Sequence, residues 1–414
     1  MTGLQDDLTI SGGDVLTPAG HVVRADVVVR RGRIAEVRPA GSDGGTNRGA
    51  PHGAASVGRT LDATDRVVAP GFIDLQCNGA VGVDLTAEPE KLWEAAAVLP
   101  RWGITAWLPT IVTSPASVRQ RALDALGAGP PAPTGAPGHA HRWATPLGLH
   151  FEGPFLAPER RGAHRPEHLR PPDAAAVTGW SRDSGVALVT LAPELPGALD
   201  IVRALVDRGV VVCAGHSSAT LDQAAAAAEA GVRGVTHVFN AMAALHHRQP
   251  GLVAAALTDQ RLAVGLIADG IHVHPAVVDL VARAAGSRLY LVSDAVAALG
   301  MPNARRLGDT EAPLDARGVR LDDGTLAGSN VSLDRGAANL MAYTGCGIAA
   351  AVDAASSAPA RLLGLEGRRG AIAPGAVADL VLLDVPSRGV SGEAQTLSVV
   401  ATLVDGVVAY HRDG

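Results

Sequence analysis

Hydrophobic and polar positions along this chain follow two different rhythms. From Leu8 to about Val37, apolar and polar residues alternate in short runs broken by SGGD, TPAG and RRGR, the pattern of small antiparallel β-strands joined by turns. Past residue 58 the rhythm changes to apolar runs of strand length separated by Ala-rich helical stretches, the mark of repeated βα units around a parallel sheet. Eight such runs can be counted: GFIDLQ, ITAWLPTIV, PLGLHFEG, VALVTLAPE, VVVCAGH, GVTHVFN, LAVGLIAD and LYLVSDA. Eight parallel strands close a barrel whose active face is built at their C-terminal ends. After Asp334 the pattern is helical, and from Gly370 the stretch GAIAPGAVADLVLLD returns to short strands able to pair with the N-terminal ones. The expected fold is α/β: a (β/α)8 TIM-type barrel with a small β-sandwich domain built from both chain ends, divided as 1–68, 69–369 and 370–414. The Gly-, Ser- and Ala-rich stretch from Gly41 to Gly58 has no hydrophobic period and reads as a flexible surface loop.

Composition narrows the function classes. The 414 residues suit a barrel of roughly 250 residues plus a smaller companion. With 3% aromatic residues, the core must be packed from Ala, Val and Leu. The net charge of −6 lacks the basic footprint that nucleic acid or an anionic membrane would require, so an anionic ligand must be caught by a local pocket. No basic segment leads into an apolar run at the N-terminus and no stretch of 18 apolar residues occurs, so the cytoplasm is the expected location. Cys77, Cys213 and Cys346 are few and far apart and read as reduced thiols. Lys91 is the single lysine.

Three strand ends carry ligand-type side chains: Glu152 in HFEGPF, His216 in AGHSSAT and His237 in THVFNAM. One carboxylate and two imidazoles with a fourth position open is the set of a catalytic zinc site. Each alone is weak, because a lone buried His is more often a hydrogen-bonded structural residue; His216 and His237, about one βα repeat apart, strengthen one another. Asp294 ends the eighth run, where a carboxylate can move a proton between water and a leaving amine or, more plainly, cap the next helix. Gln76 and Asn78 stand where many hydrolase barrels place His-x-His for an additional metal. Amides are poor zinc ligands, so one divalent metal per chain is expected, with these two residues beside the metal site. Lys91 lies in the first helical stretch, not at a central strand end, which excludes barrels that bridge two metals with a carboxylated lysine, dihydroorotases among them. Around the mouth, Ala163, His164, Asn240, Ala241, Arg248 and His272 offer donors for a phosphate or carboxylate; Arg248 is the preferred candidate, while His246, His247 and His274 read as a solvated rim.

The segments PGFIDLQCNG, HFEGPF, RGAH, TLAPE, GHSSAT, THVFNAM, ADGIHV and LVSDA resemble, in order, motifs of the N-acetylglucosamine-6-phosphate deacetylases of the amidohydrolase superfamily. The resemblance spans most of the chain, and Gln76-x-Asn78 is similar to its one-metal branch. It implies Glu152, His216 and His237 as metal ligands, Asp294 as proton shuttle and His164 as the group polarising the acetyl carbonyl. Ala163, Asn240, Ala241, Arg248, His272, Leu326, Ala327 and Gly328 are implied as contacts to sugar or phosphate, and a homodimer is implied as the assembly. The implied reaction is hydrolysis of N-acetylglucosamine 6-phosphate to glucosamine 6-phosphate and acetate by a metal-activated water, with zinc as the first choice and Fe2+, Co2+ or Mn2+ also suited to the ligand set. Two other readings stand beside it: a deacetylase of another amino-sugar phosphate such as N-acetylgalactosamine 6-phosphate, and an inactive sugar-phosphate-binding relative. The 41–58 loop and AGPPAPTGAPGHAHR depart from the family pattern as insertions.

Overall fold

The structure, a computed structural model, describes residues 7–41, 59–131, 142–301, 306–307, 310–311, 314–315, 318–385 and 397–413. The expected loop from residue 42 to 58 and most of the Pro-rich insertion lie outside the described residues. The eight apolar runs form eight parallel strands: β1 Phe72–Cys77, β2 Ile104–Val112, β3 Leu149–Glu152, β4 Val186–Leu191, β5 Val211–Ala214, β6 Gly234–Val235, β7 Ala263–Leu266 and β8 Leu289–Leu291. Neighbours pair in sequence order from β1 to β8. The ring closes just beyond the ends of β1 and β8, where the Asp294 amide donates to the Gln76 carbonyl at 2.8 Å and the Asn78 amide to Ala295 at 2.7 Å. A two-residue strand, Thr145–Pro146, adds to the flank of β2. The observed β5 and β6 are shorter than the runs that predict them, because backbone turns begin before His216 and His237.

Helices α1 Leu92–Val98, α2 Ala116–Ala128, α3 Ala198–Val206, α4 Leu221–Ala230, α5 Gly251–Thr258, α6 Pro275–Ala285 and α7 Leu333–Thr344 surround the strands. In α3 the buried residues Ala198, Ile201, Val202 and Leu205 recur at helical spacing and face the sheet. In α4 a Thr220–Gln223 capping box fixes the start. The core is aliphatic as the composition requires, with Phe72, Trp107, Phe151 and Phe155 among its largest wholly buried side chains.

Both chain ends build a second sheet. Its strands run in the order Val407–His411, Ser398–Val404, Leu380–Asp384, Val67–Pro70, Leu8–Leu16, Val22–Arg30 and Arg33–Pro39, with Arg59–Asp62 alongside Leu8–Leu16. Leu8, Ile10, Val27, Val29, Leu380, Leu382, Ala401 and Leu403 share one apolar cluster. At its edge Asp379, with only 3% of its side chain exposed, is ion-paired to Arg369 and accepts from the Asp405 amide at 3.0 Å. Burial pushes the Asp379 carboxyl up to about 6 against the pull of Arg369. The folded state therefore holds a proton that the unfolded chain has released between about pH 4 and 6, and stability falls as pH rises through that window. Arg369→Ala strands the carboxylate, so denaturant unfolding at pH 7 is expected to show a loss of about 3–5 kcal/mol, with the loss shrinking as pH falls. No such recovery at low pH would show that Asp379 is not the group responsible.

Candidate active site

The polar strand ends meet at one mouth. Glu152 is the last residue of β3, and Gly153 after it is required: its φ is +85°, and a Cβ there would lie 2.2 Å from Thr113 Oγ1. His216 and His237 follow β5 and β6 by two residues and Asp294 follows β8 by three, all with positive φ, +50°, +30° and +47°. Such conformations in non-glycine residues cost on the order of 1–3 kcal/mol and gather at functional sites.

Glu152 Oε1 lies 3.2 Å from His216 Nε2 and 3.0 Å from His237 Nε2, and the two imidazole nitrogens are 3.1 Å apart. Among the described residues this is the one group of His, Cys, Asp and Glu arranged to hold a metal ion. His216 Nδ1 donates to the Arg160 carbonyl at 2.9 Å, which leaves a lone pair on Nε2. That lone pair faces the carboxylate oxygen, and two acceptors at this distance do not bond one another; they suit a shared cation. Burial would raise the Glu152 carboxyl, but the imidazoles of His164, His216 and His237 gathered around it outweigh burial and favour the carboxylate, holding it well below the usual range. The donor set thus fits a divalent metal.

The two amides of the first strand play different parts. Gln76 Nε2 donates to Glu152 Oε1 at 2.9 Å, and Asn78 Nδ2 donates to Asp294 Oδ1 at 2.8 Å. Each turns its N–H toward the carboxylate it faces, and amides are poor zinc ligands, which does not favour a second metal. Asp294 is buried, and burial together with the Glu152 charge pushes its carboxyl up to about 6. His164 accepts from the Thr113 amide at Nδ1, 3.3 Å, so its proton sits on Nε2, 3.5 Å from Glu152 Oε2. Burial and the neighbouring His216 lower its pKa, so it is a neutral donor aimed at the metal centre.

Glu152, His216, His237, Asn78, Asp294 and His164 line a cavity of about 560 Å³, with Gln76 behind them. Of the expected contact residues, Ala163, His164, Asn240, Ala241, His272, Leu326 and Gly328 line it too, whereas Ala327 is wholly buried behind the wall. His272 is held by Asp269, whose Oδ2 lies 2.7 Å from His272 Nδ1 and whose Oδ1 accepts the His272 amide at 2.8 Å. Arg248 does not join them. It is exposed, 2.8 Å from His247 Nε2 and outside its own chain's cavity. The cavity instead brings in Arg121, Arg160, Arg165 and His168, which the sequence reading did not single out. Arg165 and His168 fall inside the RGAHRPEH stretch, but their spacing carries no ligand signal of its own.

Residues 67–409 match the amidohydrolase family. The chain is 41% identical over 347 residues to the N-acetylglucosamine-6-phosphate deacetylase of Bos taurus, covering 79% of this chain and 83% of that one. It is likewise 41% identical over 322 residues to the N-acetylgalactosamine-6-phosphate deacetylase of Escherichia coli O157:H7, covering 77% and 84%. Among solved structures it is similar to an N-acetyl-D-glucosamine-6-phosphate deacetylase mutant from Mycobacterium smegmatis in complex with N-acetyl-D-glucosamine-6-phosphate, with a TM-score of 0.80 and 32% identity over 98% of this chain and 100% of that one.

Proposed function

Because this chain belongs to the amidohydrolase family, we propose that it is a metal-dependent deacetylase of N-acetyl-D-glucosamine 6-phosphate, releasing acetate and D-glucosamine 6-phosphate. The observation that carries this reading is the Glu152, His216 and His237 cluster sharing one cavity with Asp294 and a neutral His164. A divalent cation held by the three ligands, zinc in the first place and Fe2+, Co2+ or Mn2+ as alternatives, supplies Lewis acidity that lowers the pKa of water toward about 7 and polarises a carbonyl. Asp294 takes a proton from the attacking water as its oxygen adds to the acetyl carbon. His164 donates its Nε2–H to the carbonyl oxygen as negative charge gathers there. When the C–N bond breaks, Asp294 returns the proton to the departing nitrogen. Asn78 steadies Asp294 and Gln76 steadies Glu152 throughout.

The sugar phosphate is assigned to the side of the cavity bearing Ala163, Asn240, Ala241, His272 and the Leu326–Gly328 turn. A homodimer fits this arrangement, since Arg248 is exposed and outside its own cavity, on a surface open to a neighbouring copy. A phosphorylated sugar does not cross membranes unaided, which supports a cytoplasmic location; among the described residues no helix is long and apolar enough to span one. Arg248→Ala is expected to lower kcat/KM for the phosphorylated sugar by roughly ten- to a hundredfold, the loss of one charge-assisted hydrogen bond. Unphosphorylated N-acetylglucosamine should be barely affected. Equal loss on both sugars would take the phosphate away from Arg248 and leave it to His272.

The test of the reading itself is acetate release from N-acetylglucosamine 6-phosphate measured beside its galacto epimer and the unphosphorylated sugar. The N-acetylgalactosamine-6-phosphate deacetylase at 41% identity favours the epimer as the second reading, and a faster galacto rate would make it the first. No acetate from any of the three would leave a binding protein.

A further inference from the structure

The TLAPE segment takes no part in the chemistry above, yet its Glu194 reaches the turn that carries a metal ligand. We infer that Glu194 is a positioning residue that fixes His216 and thereby sets how tightly the site holds its cation; this rests on the reading of Glu152, His216 and His237 as ligands.

His216 is held at a φ of +50°, a conformation that a non-glycine residue keeps only where its surroundings over-determine it. The two residues that follow it are both anchored on one carboxylate. Ser217 Oγ donates to Glu194 Oε2 at 2.7 Å, and the Ser218 amide donates to Glu194 Oε1 at 2.5 Å. Bonds to a charged acceptor are roughly twice as strong as neutral ones. A second path leads back to the same imidazole: Arg160 Nε donates to Ser218 Oγ at 2.9 Å, and the Arg160 carbonyl accepts from His216 Nδ1 at 2.9 Å. Glu194, Ser218, Arg160, His216 and Ser217 therefore form a closed ring of bonds. One arm holds the backbone that aims the imidazole, and the other selects the tautomer that leaves Nε2 free for a metal. Metal-bound histidines commonly rely on such outer partners.

A plainer role, capping a helix, does not account for these bonds. The helix after His216, α4, is capped by Thr220, and α3, which follows Glu194, starts at Gly197 without a side-chain cap. The same turn also braces the sugar side, because the Ser217 amide donates to the Ala241 carbonyl at 3.1 Å and the Ala243 amide to the Ser217 carbonyl at 3.2 Å.

The experiment strips the full-length protein with chelator and titrates zinc alone into wild type, Glu194→Gln and Ser218→Ala by calorimetry, with thermal unfolding of each metal-free protein alongside. Glu194→Gln is expected to weaken zinc binding about ten- to a hundredfold with the metal-free Tm unchanged. Ser218→Ala, which cuts only the path through Arg160, is expected to weaken it less and in the same direction, and it carries the test if Glu194→Gln does not fold. Unchanged zinc affinity in both variants overturns the proposal. So does a loss of affinity matched by a collapse of the metal-free Tm, which would make Glu194 a residue of the fold alone. Wild type that takes up no zinc or other divalent cation would remove the ligand reading itself and this inference with it.

Discussion

Replacing Asp294 by Asn is expected to cut kcat by about 10² to 10⁴, the range a positioned acid/base contributes, while metal content and substrate binding stay near wild type. The amide keeps the size of the carboxyl and can still accept from Asn78 Nδ2, the bond of 2.8 Å that aims the native side chain. What it loses is the capacity to take a proton from water and return it to the amine. The metal should remain because Asp294 is not in the Glu152, His216 and His237 set. The pH profile adds a second readout. Asp294 must be ionised to act as base, and burial with the Glu152 charge raises it to about 6, while a cation in the site draws it down again. Wild-type kcat/KM should therefore fall as pH drops through about 6 and below, and that acid limb should vanish in the variant. Near-normal turnover in Asp294→Asn would remove this residue from the mechanism.

Chelator treatment is expected to abolish turnover by at least about a thousandfold, because polarisation by a metal is worth several kcal/mol of barrier. One equivalent of a divalent cation per chain should restore it. His164 and Asp294 remain in place without the metal, yet a neutral imidazole and a carboxyl cannot by themselves generate a strong nucleophile from water at neutral pH. The metal-free protein should also melt lower. Bringing the lone pairs of Glu152 Oε1 and His216 Nε2 within 3.2 Å of each other is unfavourable until a cation separates them, and ligand binding to the folded state raises stability in proportion to the logarithm of its concentration. Elemental analysis should find about one tightly held metal per chain; two would contradict the donor roles of Gln76 and Asn78. Full activity after exhaustive metal removal would end the hydrolytic reading built on this centre.

The barrel was legible because its signal is repeated: eight apolar runs with polar ends map one for one onto β1–β8. The cluster suited to a metal was legible in part, since Glu152, His216 and His237 each lie at or near the end of a largely apolar run. What could not be read was contact between residues distant in the chain. Nothing in DLQCNG tells that Gln76 reaches Glu152 while Asn78, two residues on, reaches Asp294; that depends on the alternation of side chains along β1 and on where the ring closes. Glu194 lay in a recognised motif, but its partners are 23 and 24 residues away across a β-strand and a helix. Arg248 has the charge and the loop position suited to a phosphate, but within one chain it is exposed and lies outside the cavity. The two-residue strands at 306–307, 310–311, 314–315 and 318–319 are too short to leave an apolar periodicity in the sequence.

The second sheet places a constraint on how this polypeptide can be made. Strand Val67–Pro70, which leads the chain into the barrel, pairs with Leu380–Asp384, which leads it out, with Leu380 opposite Pro70 and Leu383 opposite Val67. During synthesis the early strand must wait, one edge bare, until more than three hundred further residues have emerged. The β1–β8 ring can close in the meantime, but the early strands expose Ile10, Val27 and Val29 until Leu380, Leu382 and Leu403 arrive to cover them. Completion of that sheet therefore has to follow synthesis of the whole barrel, and a chain truncated before Leu380 would present the edge of Val67–Pro70 unpaired.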